Sequence, residues 1–201
     1  MIINYKVLKD KNFIQIFILV IFLFGATNLI AKNQKISTLA SLKFNVNEQS
    51  RVNNKDVSTE YVLSLELPKI LKKEVLSPKE KKGEIYIYEN GMKTIFLPFF
   101  NQVIKEKSDE NEMKILNFIN QIVELDKKDK NFKEKYYLKE YREFQISNSW
   151  KIVIKEFQTV KSYLIPKILE VYSGTTHVST LNLSNVEVNP SFKKEDFILK
   201  E

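Results

Sequence analysis

Cysteine is absent from all 201 residues, and that absence removes three options at once. No disulfide can staple the fold, no thiolate can hold zinc, and no N-terminal cysteine can carry a lipid. His177 is the whole supply of imidazole. No GxSxG, HExxH or cysteine nucleophile accompanies it, so it reads as a strand-face histidine. Glycine is almost as scarce. Gly83, Gly91 and Gly174 stand alone as turn glycines, and no phosphate-cradling loop can be built from them. The carboxylates are interleaved with lysines, as on a solvated charged face, and mark no acid–base pair. The sequence therefore predicts no catalytic residue, no cofactor and no metal site.

What is present is apolar and basic. Apolar residues make up 43% and charged residues 28%, which argues for a folded chain, and the length suits one domain with a sizeable core. The first 31 residues read as a leader. Lys6, Lys9 and Lys11 form a basic start, Phe13 to Phe24 is nearly unbroken apolar sequence, and Leu29-Ile30-Ala31 offers a cleavage site. The apolar run is shorter than the roughly 20 residues a bilayer-spanning helix needs, so a cleaved signal peptide ending near Ala31 is expected. Residues 32–201 would then be a single exported domain. Removing the leader lowers the net charge from +7 to +5. Export makes nucleic acid an unsuitable partner.

In the mature chain, period-two alternation dominates. Ala40, Leu42, Phe44 and Val46 alternate with Ser41, Lys43, Asn45 and Asn47, and Val57 to Leu67 repeats the pattern after an asparagine-rich turn. These predict a long antiparallel pair with one wet face. Ile70 to Leu76, Trp150 to Lys155, Tyr163 to Tyr172 and Val178 to Val188 read as further strands, with Pro166 demanding an edge or a bulge. One amphipathic helix is expected over Glu110 to Leu125, with Ile115, Phe118, Ile119 and Ile122 on its apolar stripe. Asp126 to Lys135 reads as a charged connector, and Tyr136 to Ile146 fits either a helix or a strand. The fold class is mainly β: a meander of nine or ten strands that must curl or close, with one helix.

Ser77 to Val103 is the exceptional stretch. Glu84–Glu89 and Lys93–Leu97 flank Asn90-Gly91, a dipeptide suited to a two-residue hairpin turn. Both arms are apolar on both faces: Ile85 and Ile87 alternate with Tyr86 and Tyr88, and Ile95 and Leu97 with Thr94 and Phe96. A half-buried sheet shows polar residues at every second position, so this hairpin needs apolar cover on each side. A doubly apolar sheet, one amphipathic helix and no catalytic apparatus together suit an apolar pocket. The lysines at 69, 72, 73, 79, 81 and 82 read as a solubilising face or as an attraction to anionic lipid.

The order Leu67-Pro68-Lys69-Ile70, Leu76-Ser77-Pro78, Asn90-Gly91 and Ile95-Phe96-Leu97-Pro98-Phe99-Phe100-Asn101-Gln102-Val103 resembles the LolA-type periplasmic carriers of outer-membrane lipoproteins. The likeness covers Leu39 to Val103 by motif and the remainder by strand order. The family's aromatic-x-Gln motif is replaced by Phe44-Asn45-Val46-Asn47, and Arg51 is the nearest counterpart of its functional arginine. The resemblance implies a strongly curved antiparallel sheet forming an unclosed β-barrel with a helical lid. It also implies a monomeric, non-enzymatic periplasmic carrier that takes lipoprotein acyl chains from an inner-membrane release complex to an outer-membrane acceptor. An envelope sensor of the same fold, acting through a protein partner, is the alternative. On this reading Ile85, Ile87, Phe96, Leu97, Phe99, Phe100 and Ile152 line the groove, and Ile115, Phe118 and Ile122 face it from the lid.

Overall fold

Alternation decides the first pair. Ser41–Val52 (β1) and Lys55–Glu66 (β2) run antiparallel from Ser41↔Glu66 to Val52↔Lys55. Leu42, Phe44 and Val46 lie opposite Leu65, Leu63 and Tyr61, and all six are buried on one face. The computed structural model describes residues 34–53 and 55–199, so the leader and its cleavage point near Ala31 lie outside the described residues.

The sheet grows outward from this pair in both directions. On one side follow Ile70–Ser77 (β3), Ile85–Glu89 (β4), Met92–Leu97 (β5) and Gln102–Lys107 (β6). On the other, β1 pairs with Thr176–Val188 (β10), then come Tyr163–Ser173 (β9), Trp150–Val160 (β8) and Glu143–Gln145 (β7). The order is β6-β5-β4-β3-β2-β1-β10-β9-β8-β7, antiparallel throughout, and the two edge strands do not pair. β4 and β9 are five strand spacings apart, about 24 Å across a flat sheet. Tyr88 of β4 and Val171 of β9 nevertheless belong to one buried cluster. The sheet is therefore curled, with a concave inner face.

Two helices lie against that face. The expected amphipathic helix starts with a 3₁₀ turn, Glu110–Met113, and continues as α1, Lys114–Lys128, burying Leu116, Phe118, Ile119, Ile122 and Val123. The charged connector is a second helix, α2, Lys130–Tyr137. Asp129 caps it by accepting from the Phe132 amide at 3.0 Å, and Phe132 and Tyr136, four residues apart, are fully buried. Two aromatic anchors on one face hold helical an eight-residue segment whose other six positions are charged or polar. The ambiguous segment thus splits, helix to Tyr137 and strand from Glu143. Pro166 lies in an interior strand, but past the last β9–β10 pair, Ile168↔Asn182, and opposite a doubly irregular stretch of β8.

α1 is pinned at three points. The Ser37 amide donates to the Asp126 carboxylate at 2.9 Å, and the Asn120 side chain donates to the Pro68 carbonyl at 2.9 Å. At the leading end, Lys93 on β5 reaches Glu112 at 2.6 Å and Glu106 at 2.7 Å. Burial alone would depress the Lys93 ammonium, but the bonds to Glu106 and Glu112 outweigh it and hold the group above the ordinary lysine value.

The doubly apolar hairpin finds its second cover in the C-terminal segment. Register puts Tyr86, Tyr88, Lys93 and Ile95 on the concave face, and Ile85, Ile87, Thr94 and Phe96 on the convex one. The terminal 3₁₀ turn, Lys194–Phe197, crosses the convex side. Lys72 donates to the Asp196 carbonyl at 2.7 Å, and buried Phe197 shares a cavity wall with Ile87 and Val103.

Two hairpin turns of the same length carry different residues. Asn90 and Gly91 have φ of 51° and 73°, the left-handed pair that a type I′ turn requires. Lys161 and Ser162, between Val160 and Tyr163, adopt φ of 47° and 68° without a glycine. Replacing Lys161-Ser162 by Asn-Gly should stabilise the protein by about 1 kcal/mol, a rise in Tm of about 2–4 °C by calorimetry. A second expectation concerns the leading end of α1. Glu112→Gln weakens its tie to Lys93, so hydrogen exchange should quicken across residues 114–116 while Ile119–Val123 keep their protection.

Candidate functional site

α1 does not fill the concave face. Phe118 and Ile122 are completely buried, with Phe118 edge-on to Phe144 at 5.0 Å, so this part of the interior is closed core. Toward the leading end of the helix a cavity of about 370 Å³ remains. Its apolar wall comes from Leu63 of β2, Leu71 of β3, Ile115 of α1, Val171 of β9 and Leu181 of β10. Tyr61 and Tyr88 add ring surface, and Glu48, Lys73, Glu112, Lys114 and Ser179 bring polar atoms to the same space. A volume between about 300 and 1,000 Å³ is usual for a small-molecule site, so this one is at the small end.

The polar groups are arranged unevenly. The Tyr61 hydroxyl donates to Glu48 at 3.0 Å, and burial together with that carboxylate pushes the phenol well above its ordinary pKa. Burial and the nearby Glu112 carboxylate push Tyr88 up to about 12. The Lys73 ammonium lies 4.0 Å from the centre of the Tyr61 ring, and the Lys114 ammonium 3.3 Å from that of Trp150. Neither has a carboxylate oxygen within 4.0 Å among the described residues. Burial holds both below the ordinary lysine value, and Glu48 opposes the shift in each case. Glu112, by contrast, is taken up by Lys93. Groups of three or more candidate metal-ligating side chains are absent among the described residues.

The residues expected in the groove divide among several places. Ile115, half-buried, lines the cavity. Phe118, Ile122 and Ile152 are fully buried core. Ile85, Ile87 and Phe96 are on the convex face, away from the helix, because the Asn90-Gly91 turn fixes Tyr88↔Lys93 and Ile85↔Phe96 as opposing pairs. Phe99 and Phe100 sit in the β5–β6 turn, 88% and 68% exposed, with rings 5.0 Å apart. Leu97 has the concave parity but lies at the strand end. With Pro98, Phe99, Phe100, Lys79 and Lys82 it lines a separate open groove of about 750 Å³. Strand parity and the turn therefore distribute these residues among the cavity wall, the core, the convex face and an exposed turn.

The residues that do line the cavity include Tyr61, Leu63, Leu71, Val171 and Leu181. Leu63 belongs to the clearest alternating run in the chain. Carrying that face across β3 by pairing, Leu63↔Lys73 and Leu65↔Leu71, reaches Leu71, and carrying it through β1 to β10 and β9, Glu48↔Leu181 and Ser179↔Val171, reaches Leu181 and Val171. The basic group read as one face is likewise distributed. Lys73 faces the cavity, Lys72 the C-terminal segment, and Lys79 and Lys82 the Phe99 groove. Arg51 is exposed and paired with Asp56 at 3.5 Å. His177 is also exposed, with its ring nitrogen 3.1 Å from the Thr180 hydroxyl.

No family model matches the chain, and no curated protein matches it in sequence. Solved structures do match in fold. A LolA superfamily protein from Nitrosomonas europaea superposes with a TM-score of 0.55 at 9% identity, over 87% of this chain and 99% of its own. A DUF1329 family protein from Desulfovibrio piger gives 0.54 at 8% identity, covering 81% and 91%. A structure from Vibrio parahaemolyticus, described as an outer membrane lipoprotein-sorting protein domain, gives 0.51 at 8%, covering 83% and 92%. The chain therefore has the LolA-type fold, a ten-stranded antiparallel sheet that does not close, with two helices against it.

Proposed function

We propose that this protein is a periplasmic carrier that holds lipoprotein acyl chains between the curled sheet and α1 and moves them from inner to outer membrane. It would do so without covalent chemistry. The observation that carries the reading is the cavity itself, an apolar space left open between Ile115 and the concave residues Leu63, Leu71, Val171 and Leu181. An alkyl chain suits such a wall because hydrophobic transfer is non-directional and contributes about 0.8 kcal/mol per buried CH₂. No constellation of directed polar groups is needed to hold it.

The small volume has a consequence for cargo. One chain can enter with little rearrangement, whereas several chains require the leading end of α1 to lift. Lifting that end would break the Lys93–Glu112 tie but little core, since Met113 and Ile115 are only half-buried while Phe118 and Ile122 are sealed in. A cleaved leader near Ala31 would deliver the domain to the periplasm, where an inner-membrane release complex and an outer-membrane acceptor would be its partners.

Native mass spectrometry of protein purified from the cell envelope tests the proposal. Bound acylated species are expected on the wild type, and an apolar dye should brighten on the emptied protein. Val171→Trp fills the cavity and should weaken dye binding about tenfold, about 1.4 kcal/mol, at an overpacking cost of about 1–3 kcal/mol in stability. Protein that carries no lipid and gives no dye signal would overturn the carrier reading.

A further inference from the structure

The cavity that would take the alkyl chain also contains a charge pattern that the carrier reading does not require. Lys73 projects from the middle of β3 between Leu63 of β2 and Tyr86 of β4, a position where the pairing face is otherwise hydrophobic or aromatic. Lys114 is the first residue of α1, where the positive end of the helix dipole disfavours a cation. Both lysines line the same cavity, and both ammonium groups are partly desolvated. Neither is ion-paired among the described residues. Each rests on an aromatic face instead, Tyr61 for Lys73 and Trp150 for Lys114.

The carboxylates around them are few. Glu48 acts on both lysines from beyond ion-pair distance and already accepts the Tyr61 hydroxyl. Glu112 is held by Lys93. Glu84 and Lys81 act on Lys73, and Asp109 acts on Lys114, also from beyond ion-pair distance. Two lysines and two carboxylates, Glu48 and Glu112, thus line the cavity, and neither lysine has a carboxylate within ion-pair distance among the described residues. A desolvated cation without a close counter-ion is costly, and in a partly dry site an incoming anion interacts far more strongly than it would in water. The aromatic faces hold the ammonium groups in place without neutralising them.

The geometry points to a binding site for an amphiphile with an anionic head, a carboxylate or a phosphate, between Lys73 and Lys114. Its alkyl chain runs along Leu63, Leu71, Ile115, Val171 and Leu181. The inference rests on the carrier reading for the apolar half of the site and adds the class of head group. Selection then comes from sign of charge, and the length of chain sets the strength of binding.

Displacement of an apolar dye from the full mature chain by four amphiphiles of equal chain length tests it: dodecanoate, dodecyl phosphate, dodecanol and dodecyltrimethylammonium. The wild type should bind both anions at least about tenfold more tightly than the alcohol, and the cation more weakly still. A higher affinity for dodecyl phosphate assigns a phosphate head, and a higher affinity for dodecanoate assigns a carboxylate. In Lys73→Met/Lys114→Met the preference for both anions over dodecanol should vanish, read as the ratio of their affinities. Methionine keeps the unbranched bulk of the lysine stem, and circular dichroism would establish that the variant folds. Equal binding of anions and alcohol by the wild type, or a preference that survives in the variant, would overturn the head-group site and leave the apolar cavity intact. Failure of all four to displace the dye would overturn both.

Discussion

The inside of a ten-stranded curled sheet has to be covered, and the principal helix available is short for the task. α1 has fifteen residues, about 22 Å of helix, whereas the twelve-residue strands beneath it extend for about 40 Å. Packing it tightly on one part of the concave face, where Phe118 meets Phe144 and Ile122 is sealed, leaves the remainder uncovered. The cavity is thus a consequence of length mismatch and requires no special sequence. α2 and the Ile36–Thr38 turn extend the closed part, with the Asp126–Ser37 bond joining that turn to α1. At the other end, among the described residues, only the 3₁₀ turn Glu110–Met113 extends it.

Electrostatics then divides the two regions. Around the leading turn of α1, Lys93 is compensated by both Glu106 and Glu112, which fixes that turn to β5 and leaves the three-residue group with one negative charge in excess. A short distance away Lys73 and Lys114 are stacked on rings with no such compensation. The first arrangement holds the helix to the sheet, and the second is the one on which the proposed head-group site rests. The convex face follows a different rule. There the C-terminal segment supplies Phe197 and a carbonyl for Lys72, so the grease on that side of the hairpin is satisfied from within the chain.

The parts of this structure that were legible in the sequence are those with one unambiguous period. Leu42, Phe44 and Val46 opposite Tyr61, Leu63 and Leu65 followed from alternation alone, and α1 followed from its stripe. The resemblance to LolA-type carriers supplied the unclosed sheet, which composition could not. α2 was hidden because six charged or polar positions mask Phe132 and Tyr136, whose burial depends on distant strands. The concave residues of the hairpin were hard to read for a sharper reason. With both faces of β4 and β5 apolar, hydrophobicity does not say which face is concave, and the isoleucine set was chosen over the tyrosine set. The answer lay in pairing across β3, and β3 itself carries lysines on both faces, Lys72 outward and Lys73 inward. Phe99 and Phe100 read as groove-lining because they are large and apolar, but a turn after Pro98 leaves them exposed. The Lys161-Ser162 turn gave no signal, since neither residue is one that left-handed backbone favours.

The claim on which the account depends is that an acyl chain lies between α1 and the concave face, and not against the exposed Phe99–Phe100 turn. Photocrosslinking with a fatty acid that carries a diazirine along its chain, followed by peptide mass mapping, locates the chain directly. The account predicts adducts on Leu63, Leu71, Ile115, Val171 and Leu181. Adducts confined to residues 97–100, or to the convex face around Ile87 and Phe197, would contradict it.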